Sequence, residues 1–350
     1  MNNGLLFFVG TYANRGSLGI YKARLDPATG GGLTVEGVGA KAANPTFLAR
    51  SPNRRSIYAV SGTTAWVKAY RTDPRTGILD PIGLEEAGAG RPPCHVAADR
   101  TGRCILATHF HLGTIAAIPL RPDGSPGVPR IVAHQGHGPH PIRQAGPHPH
   151  SATIAPDNRF ALVCDLGLDR IFSYRLDPET AALTPGPAPF AAAEPGAGPR
   201  HLAFGPDGTR VYVVNEINNT VAVYAYEAGS GALARQQVLP TLPRDFTGES
   251  SAAEVALHPN GRFLYASNRG HDSLALFSIQ TGSGQLSPLG HFPCGGKAPR
   301  HFALSPDGAW LVCAHQDSDT LCSFQVDPAS GRLRRVPGEI RVPVPTCVLF

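Results

Sequence analysis

Three arginines, one glutamate and several histidines stand at equivalent places in a phrase that this chain repeats. Arg200 and Arg300 hold the second position of that phrase, as does His150. His201 and His301 hold the third, Asp165 the last, and Glu216, Arg269 and Gln316 the position just beyond it. His148 lies immediately before one copy. Arginine forks bind carboxylate or phosphate in bidentate fashion. A glutamate or histidine can act as general base or acid, and a cation facing a carbonyl can stabilise an oxyanion. The chain carries no G-x-S-x-G elbow and no phosphate-cradling P-loop. The parts on hand therefore suit activation of water against a small anionic substrate, without a covalent intermediate.

The elements that must position these residues follow from the phrase itself. Its seventeen-residue frame runs from Pro199 to Asn215, and fits without gaps from Pro45, Pro93, Pro149, Ala252 and Pro299. Each copy holds an apolar alternation, a turn such as Pro-Asp-Gly, and a β-branched and aromatic run such as Val211-Tyr212-Val213-Val214. A third run and a short fourth run follow, so each repeat reads as four antiparallel strands, the blade of a β-propeller. The repeats recur every ~46–56 residues, as propeller repeats do. Pro345 opens a fragment that matches only a first strand. The N-terminus supplies the missing pieces: Leu6 to Gly10 as second strand, Gly19 to Leu25 as third, Leu33 to Val38 as fourth. The expectation is an all-β, seven-bladed β-propeller, a single domain over residues 1–350, with its first blade closed by both termini. Such closure protects edges that would otherwise be open.

In a propeller the first strand of each blade lines the central channel. The frame is an antiparallel hairpin, so both of its ends reach the same side of the disc. His150, Arg200, Glu216, Arg269 and Arg300 are thus expected to converge on one channel mouth. Glu216 is the one carboxylate just past the frame, where other copies place Gly62, Phe110, Leu166, Arg269 and Gln316. Glu254 and Ser151 share the third position with the histidines.

Composition narrows the partners. The net charge is +5, and no polybasic run accompanies it, so neither nucleic acid nor a membrane surface is an expected partner. The seven cysteines are odd in number and contain no C-x-x-C pair, which favours a reducing cytoplasm over a disulfide framework. No charged leader with a long apolar run precedes Leu5 to Val9, and no transmembrane stretch is found. A His-rich loop, His134 to His150, holds five histidines but no carboxylate or cysteine; neither metal nor other cofactor is expected. The expected partner is a small anionic molecule, bound by a monomer or weak homo-oligomer.

The phrases His150-Ser151-Ala152, Gly198-Pro199-Arg200-His201, Val214-Asn215-Glu216 and Tyr265-Ala266-Ser267-Asn268-Arg269-Gly270 together resemble the seven-bladed propeller lactonases. Pro299-Arg300-His301-Phe302 and Pro345-Thr346-Cys347-Val348 extend that resemblance over essentially the whole chain. The family includes bacterial 6-phosphogluconolactonase and a fungal carboxymuconate-lactonising cycloisomerase. The resemblance implies a catalytic set of His150, Arg200, Glu216 and Arg269, with Glu216 or His150 as base. Around it, His148, His201, Arg300, His301, Gln316 and Asp165 are expected to contact substrate. The implied reaction is hydrolysis of a sugar lactone, with 6-phosphoglucono-1,5-lactone the leading candidate. Alternatives are the cycloisomerase reaction on the same site and a non-enzymatic binding scaffold. Another propeller lactonase class binds a divalent ion through Glu, Asn and Asp, which Asp165, Asn215, Glu216 and Asn268 could imitate; the neighbouring arginines oppose a cation there.

Overall fold

The computed structural model describes residues 4–62, 67–83 and 91–350. The repeat frame folds as expected. Pro199–Phe204 and Arg210–Asn215 pair antiparallel, with Pro199 opposite Asn215, so the two ends of the frame are cross-strand neighbours. The same end pairs form in other blades: Pro149 with Asp165, Ala252 with Asn268, Pro299 with His315. Thr220–Glu227 and Ala232–Pro240 complete that blade as third and fourth strands. Among the described residues there are seven such sheets. The innermost strands of successive blades touch one another right round the ring. Blade seven departs from the pattern by one short addition, Ile340–Arg341, which pairs with its third strand, Thr320–Val326.

Ring closure is as the terminal fragments require. Pro345–Leu349 forms the innermost strand of blade one and pairs with Leu5–Thr11, placing Val348 opposite Val9. Gly19–Asp26 and Gly32–Lys41 lie outside them. Apolar side chains knit neighbouring blades: Phe7, Val9 and Leu25 of blade one share a buried cluster with Trp310, Val312 and Leu321 of blade seven. Gly31 shows why glycine closes the outer turn at this seam. Its φ is +93°, and an added Cβ would lie 2.1 Å from the Trp310 ring. Gly331, in the equivalent turn of blade seven, sits against Phe263 of blade six in the same way.

One local irregularity sets up the site. In blades four, five and seven the strand register shifts between the first and third positions of the frame, leaving His150, Arg200 and Arg300 unpaired in the ladder. In blade six the shift spans Ala253 and Glu254. A β-bulge bends the strand and re-aims a side chain. The bulged positions are therefore those from which a side chain can leave the sheet plane and enter the channel.

Candidate active site

Glu216 follows the last residue of its strand and donates its backbone N–H to Gly198 O at 2.7 Å, which fixes it beside Arg200. Its Oε2 accepts from Arg200 Nε at 2.8 Å and from Arg269 Nη2 at 2.9 Å. Its Oε1 is taken by Arg143 Nη2. Burial alone would raise this carboxyl, but Arg269, Arg200, Arg143 and Arg300 overcome it and hold the group at about 2. Glu216 is thus ionised at neutral pH and engaged by three guanidiniums. The arginines are themselves tethered: Arg200 donates to Ala253 O at 2.7 Å, and Arg269 to Ser251 O and Ala252 O at 3.3 and 3.2 Å. Desolvation and the neighbouring Arg269 lower Arg200 to about 9, against the pull of Glu216.

Arg200 lines a small recess with His150, His201 and Arg300. Beside it, Glu216 and Arg269 open onto a cleft of about 260 Å³ lined also by Tyr12, Asn44, Thr46, Pro92, Pro93, Cys94, Phe110, His111, His150 and Arg300. That size suits a small metabolite. Arg300 stands out within it. It has no carboxylate partner among the described residues, and its guanidinium lies 5.7 Å from the Tyr12 ring centroid. His150 is buried, and its ring meets Phe110 edge-on at 5.7 Å. Desolvation, then Arg200, His201, Arg300 and His95, push its protonation well below the ordinary histidine range. The imidazole beside the cleft is therefore neutral at physiological pH.

His150, Arg200, Glu216, Arg269 and Arg300 do converge, as the hairpin geometry predicts. Other expected substrate contacts lie elsewhere. Asp165 is fully buried: its Oδ1 accepts the N–H groups of His148, Gly167 and Leu168, and its Oδ2 lies 2.6 Å from His134 Nδ1. The long loop folds back on this strand end and uses Asp165 as an anchor. His148 lies outside the cleft lining; it stacks on Phe110 at 4.3 Å, its Nδ1 2.8 Å from Phe110 O. His201 and His301 turn below the cleft toward Glu254. Gln316 borders a shallow recess beside it, with Tyr12, Arg15 and Arg300.

Arg143 escaped the repeat frame because it belongs to the inserted loop between Arg130–Ala133 and Pro149–Ile154. The signal available for it was that loop's place, just before the first strand that carries His150. Among the described residues no group of three or more His, Cys, Asp or Glu side chains is arranged to hold a metal ion. Of the polar set weighed for a divalent ion, Asn268 bonds Thr241 and Ser273, Asp165 anchors the loop, and Asn215 donates its Nδ2–H to Thr220 while its buried Oδ1 has no hydrogen-bond partner.

The family model described as "Lactonase, 7-bladed beta-propeller" matches residues 6–350. The chain belongs to the seven-bladed β-propeller lactonases. With that family it is an enzyme of the hydrolase class. A protein named 6-phosphogluconolactonase from Bacillus subtilis is 35% identical over 347 residues, covering 98% of this chain and 97% of that one. The periplasmic gluconolactonase of Pseudomonas aeruginosa superposes with a TM-score of 0.90 at 32% identity, covering 98% of each chain. A Lactobacillus plantarum protein of known structure gives 0.92 at 32% identity, covering 99% of each. No helix among the described residues is long and apolar enough to cross a membrane. Since one of these lactonases is periplasmic, membership of the family does not by itself assign a compartment.

Proposed function

We propose that this propeller hydrolyses a phosphorylated sugar lactone, 6-phosphoglucono-1,5-lactone being the leading substrate, in the cleft at the channel mouth. The observation that carries this reading is an arginine-rich cleft whose one carboxylate is saturated, next to a neutral histidine. Arg143, Arg200 and Arg269 converge on Glu216, and Arg300 adds a cation with no acidic partner among the described residues. The excess positive charge attracts an anion. Relatives named for phosphogluconolactone and gluconolactone supply the ring chemistry.

In this mechanism His150 is the general base and Glu216 is not. A carboxylate held at about 2 has little affinity for the proton of an attacking water. His150 is neutral and has a free ring nitrogen to accept one, although burial and the neighbouring Arg200 lower its affinity for that proton. Burial and then the arginine charges depress the imidazole, and an anionic substrate partly offsets the second of these. Water attacks the lactone carbonyl while the imidazole takes its proton. Arg269 and Arg200 stabilise the oxyanion. The tetrahedral intermediate then expels the ring oxygen, which recovers the proton from His150 and leaves an open-chain carboxylic acid, which loses its own proton to solvent. Arg300, free of a carboxylate partner among the described residues, holds the substrate's phosphate. We place the whole chain, 1–350, as one catalytic domain, monomeric or weakly associating. All seven cysteines are free thiols, which suits the cytoplasm.

The test is lactone loss above the spontaneous rate with 6-phosphoglucono-1,5-lactone and plain glucono-1,5-lactone, each with wild type and His150→Ala. Faster hydrolysis of the phosphorylated substrate, largely lost in His150→Ala, is the expected result. No acceleration on either lactone overturns the assignment.

A further inference from the structure

Below the cleft the third positions of the frame form a buried layer in the channel. Phe47 packs on His95 at 4.2 Å and edge-on against His201 and His301 at 5.7 and 5.6 Å. Glu254 is the carboxylate of this layer. Its Oε2 lies 2.9 Å from His201 Nδ1 and 3.4 Å from His301 Nε2, and its Oε1 accepts the Val255 N–H at 3.1 Å. The His201 ring reaches up to His150, with centroids 5.1 Å apart and planes at 63°. Two atoms at this junction are anomalous. His150 Nδ1 and His201 Nε2 are both enclosed, and neither has a hydrogen-bond partner. Buried polar groups are normally paired, and leaving them unpaired costs stability. Pairing these two nitrogens with each other would satisfy both.

We propose that Glu254 and His201 are positioning residues for His150, forming a Glu–His–His relay that holds His150 with its proton on Nδ1 and its bare Nε2 available to the substrate water. The proposal rests on the reading of His150 as base. The ionised Glu254 carboxylate accepts the Nδ1–H of His201. That leaves His201 Nε2 bare, able to accept the Nδ1–H of His150. In the resting arrangement this last bond is not made; catalytic hydrogen bonds commonly tighten only in the substrate complex. When His150 takes the proton of water at Nε2, the imidazolium keeps its Nδ1–H directed at His201. When it returns the proton to the leaving ring oxygen, the relay is back at its starting state. No net proton enters or leaves the buried layer.

The surrounding charges make such a device necessary. Arg200, Arg300 and His95 face His150; Arg200, Arg300, Arg269 and Glu216 face His201. His301 and Arg200 face Glu254. Most of these oppose an imidazolium, and Glu216 is already neutralised by three guanidiniums. Glu254 is the carboxylate left to offset the charge that develops on His150. Burial raises its carboxyl above the ordinary value, against the opposing effects of His301, Arg200 and the Val255 N–H. A protonated Glu254 would donate to His201 Nδ1 and reverse both tautomers. Activity is therefore present above the Glu254 titration and falls as pH drops through it.

Two measurements test this. The first is the pH dependence of kcat and KM for lactone hydrolysis by wild type, Glu254→Gln and His201→Phe, the phenyl ring preserving the packing on Phe47. His201→Phe should lower kcat about 10- to 100-fold with KM within about twofold, the size of loss seen when a partner that orients an active-site histidine is removed. Glu254→Gln should displace the acid limb to lower pH. The second is the imidazole 15N spectrum of the wild-type chain, which needs no turnover and no variant to fold. It should show His150 protonated on Nδ1. Folded variants with wild-type kcat and an unmoved acid limb overturn the relay, as does His150 protonated on Nε2. Absence of wild-type turnover on every lactone would instead sink the functional assignment, and the 15N spectrum would still decide the relay.

Discussion

Replacing Glu216 with Gln separates two roles that the same carboxylate could play. At neutral pH Glu216 is ionised between Arg200 and Arg269, with Arg143 on its other oxygen. Its carboxyl is lowered from 4.5 to about 2 although burial acts to raise it. At about 1.4 kcal/mol per tenfold change in ionisation, that gap corresponds to about 3 kcal/mol of folded-state stabilisation. The magnitude agrees with the about 3–5 kcal/mol lost when one partner of a buried ion pair is removed. Unfolding entropy of about 2.1 cal/mol/K per residue gives about 0.7 kcal/mol/K for a chain of this length, so the melting temperature should fall by about 4 °C. Because the folded value is depressed, this contribution is complete above the unfolded value of 4.5 and fades as pH falls toward 2. The difference between wild type and Glu216→Gln should shrink over that window. The kinetic consequence is loss of arginine alignment: about a tenfold loss, seen mainly in KM, with the acid limb of the rate profile unmoved. Calorimetry at pH 7 and near pH 3, with steady-state kinetics on the phosphorylated lactone, provides the assay. A melting temperature equal to wild type, with kcat down 10²- to 10⁴-fold at constant KM, would refute the reasoning and make Glu216 the general base.

Arg300→Met should raise KM for the phosphorylated lactone by at least tenfold while changing kcat and KM for the unphosphorylated one little, since a charge-assisted contact is worth about 1.5–3 kcal/mol; equal effects on both would move the phosphate elsewhere. Deleting Val344–Phe350 removes the innermost strand of blade one, four of whose residues pair with Leu5–Thr11. It also removes the buried side chains of Thr346, Cys347 and Val348. The truncated chain should melt at least about 10 °C lower or fail to fold, and an unaltered melting curve would show that the strand does not close the ring.

Much of the fold was legible because its determinants are local. Alternating apolar residues, a Gly-bearing turn and a β-branched run specify a hairpin through near neighbours in sequence. Six copies in one frame, plus complementary terminal fragments, specify the number of blades and the way the ring closes. The same frame brought His150, Arg200, Glu216, Arg269 and Arg300 to one mouth, because the ends of an antiparallel hairpin are adjacent. Glu254 was visible only as the carboxylate at a position where other blades place His95, His201 and His301. What the sequence could not decide was where each strand-end side chain turns. A bulge at the second position sends His150, Arg200 and Arg300 out of the ladder, while the next residue, His201 or His301, drops beneath them. Asp165 and Glu216 stand one position apart in the frame, yet one anchors a loop and the other binds three arginines. Arg143 arrives at Glu216 from 73 residues away, along a loop that no repeat describes. Ionisation followed the same division. The carboxyl of Glu216 is held low only because burial is outweighed by cations from separate segments of the chain, and that sum exists only once the ring has closed.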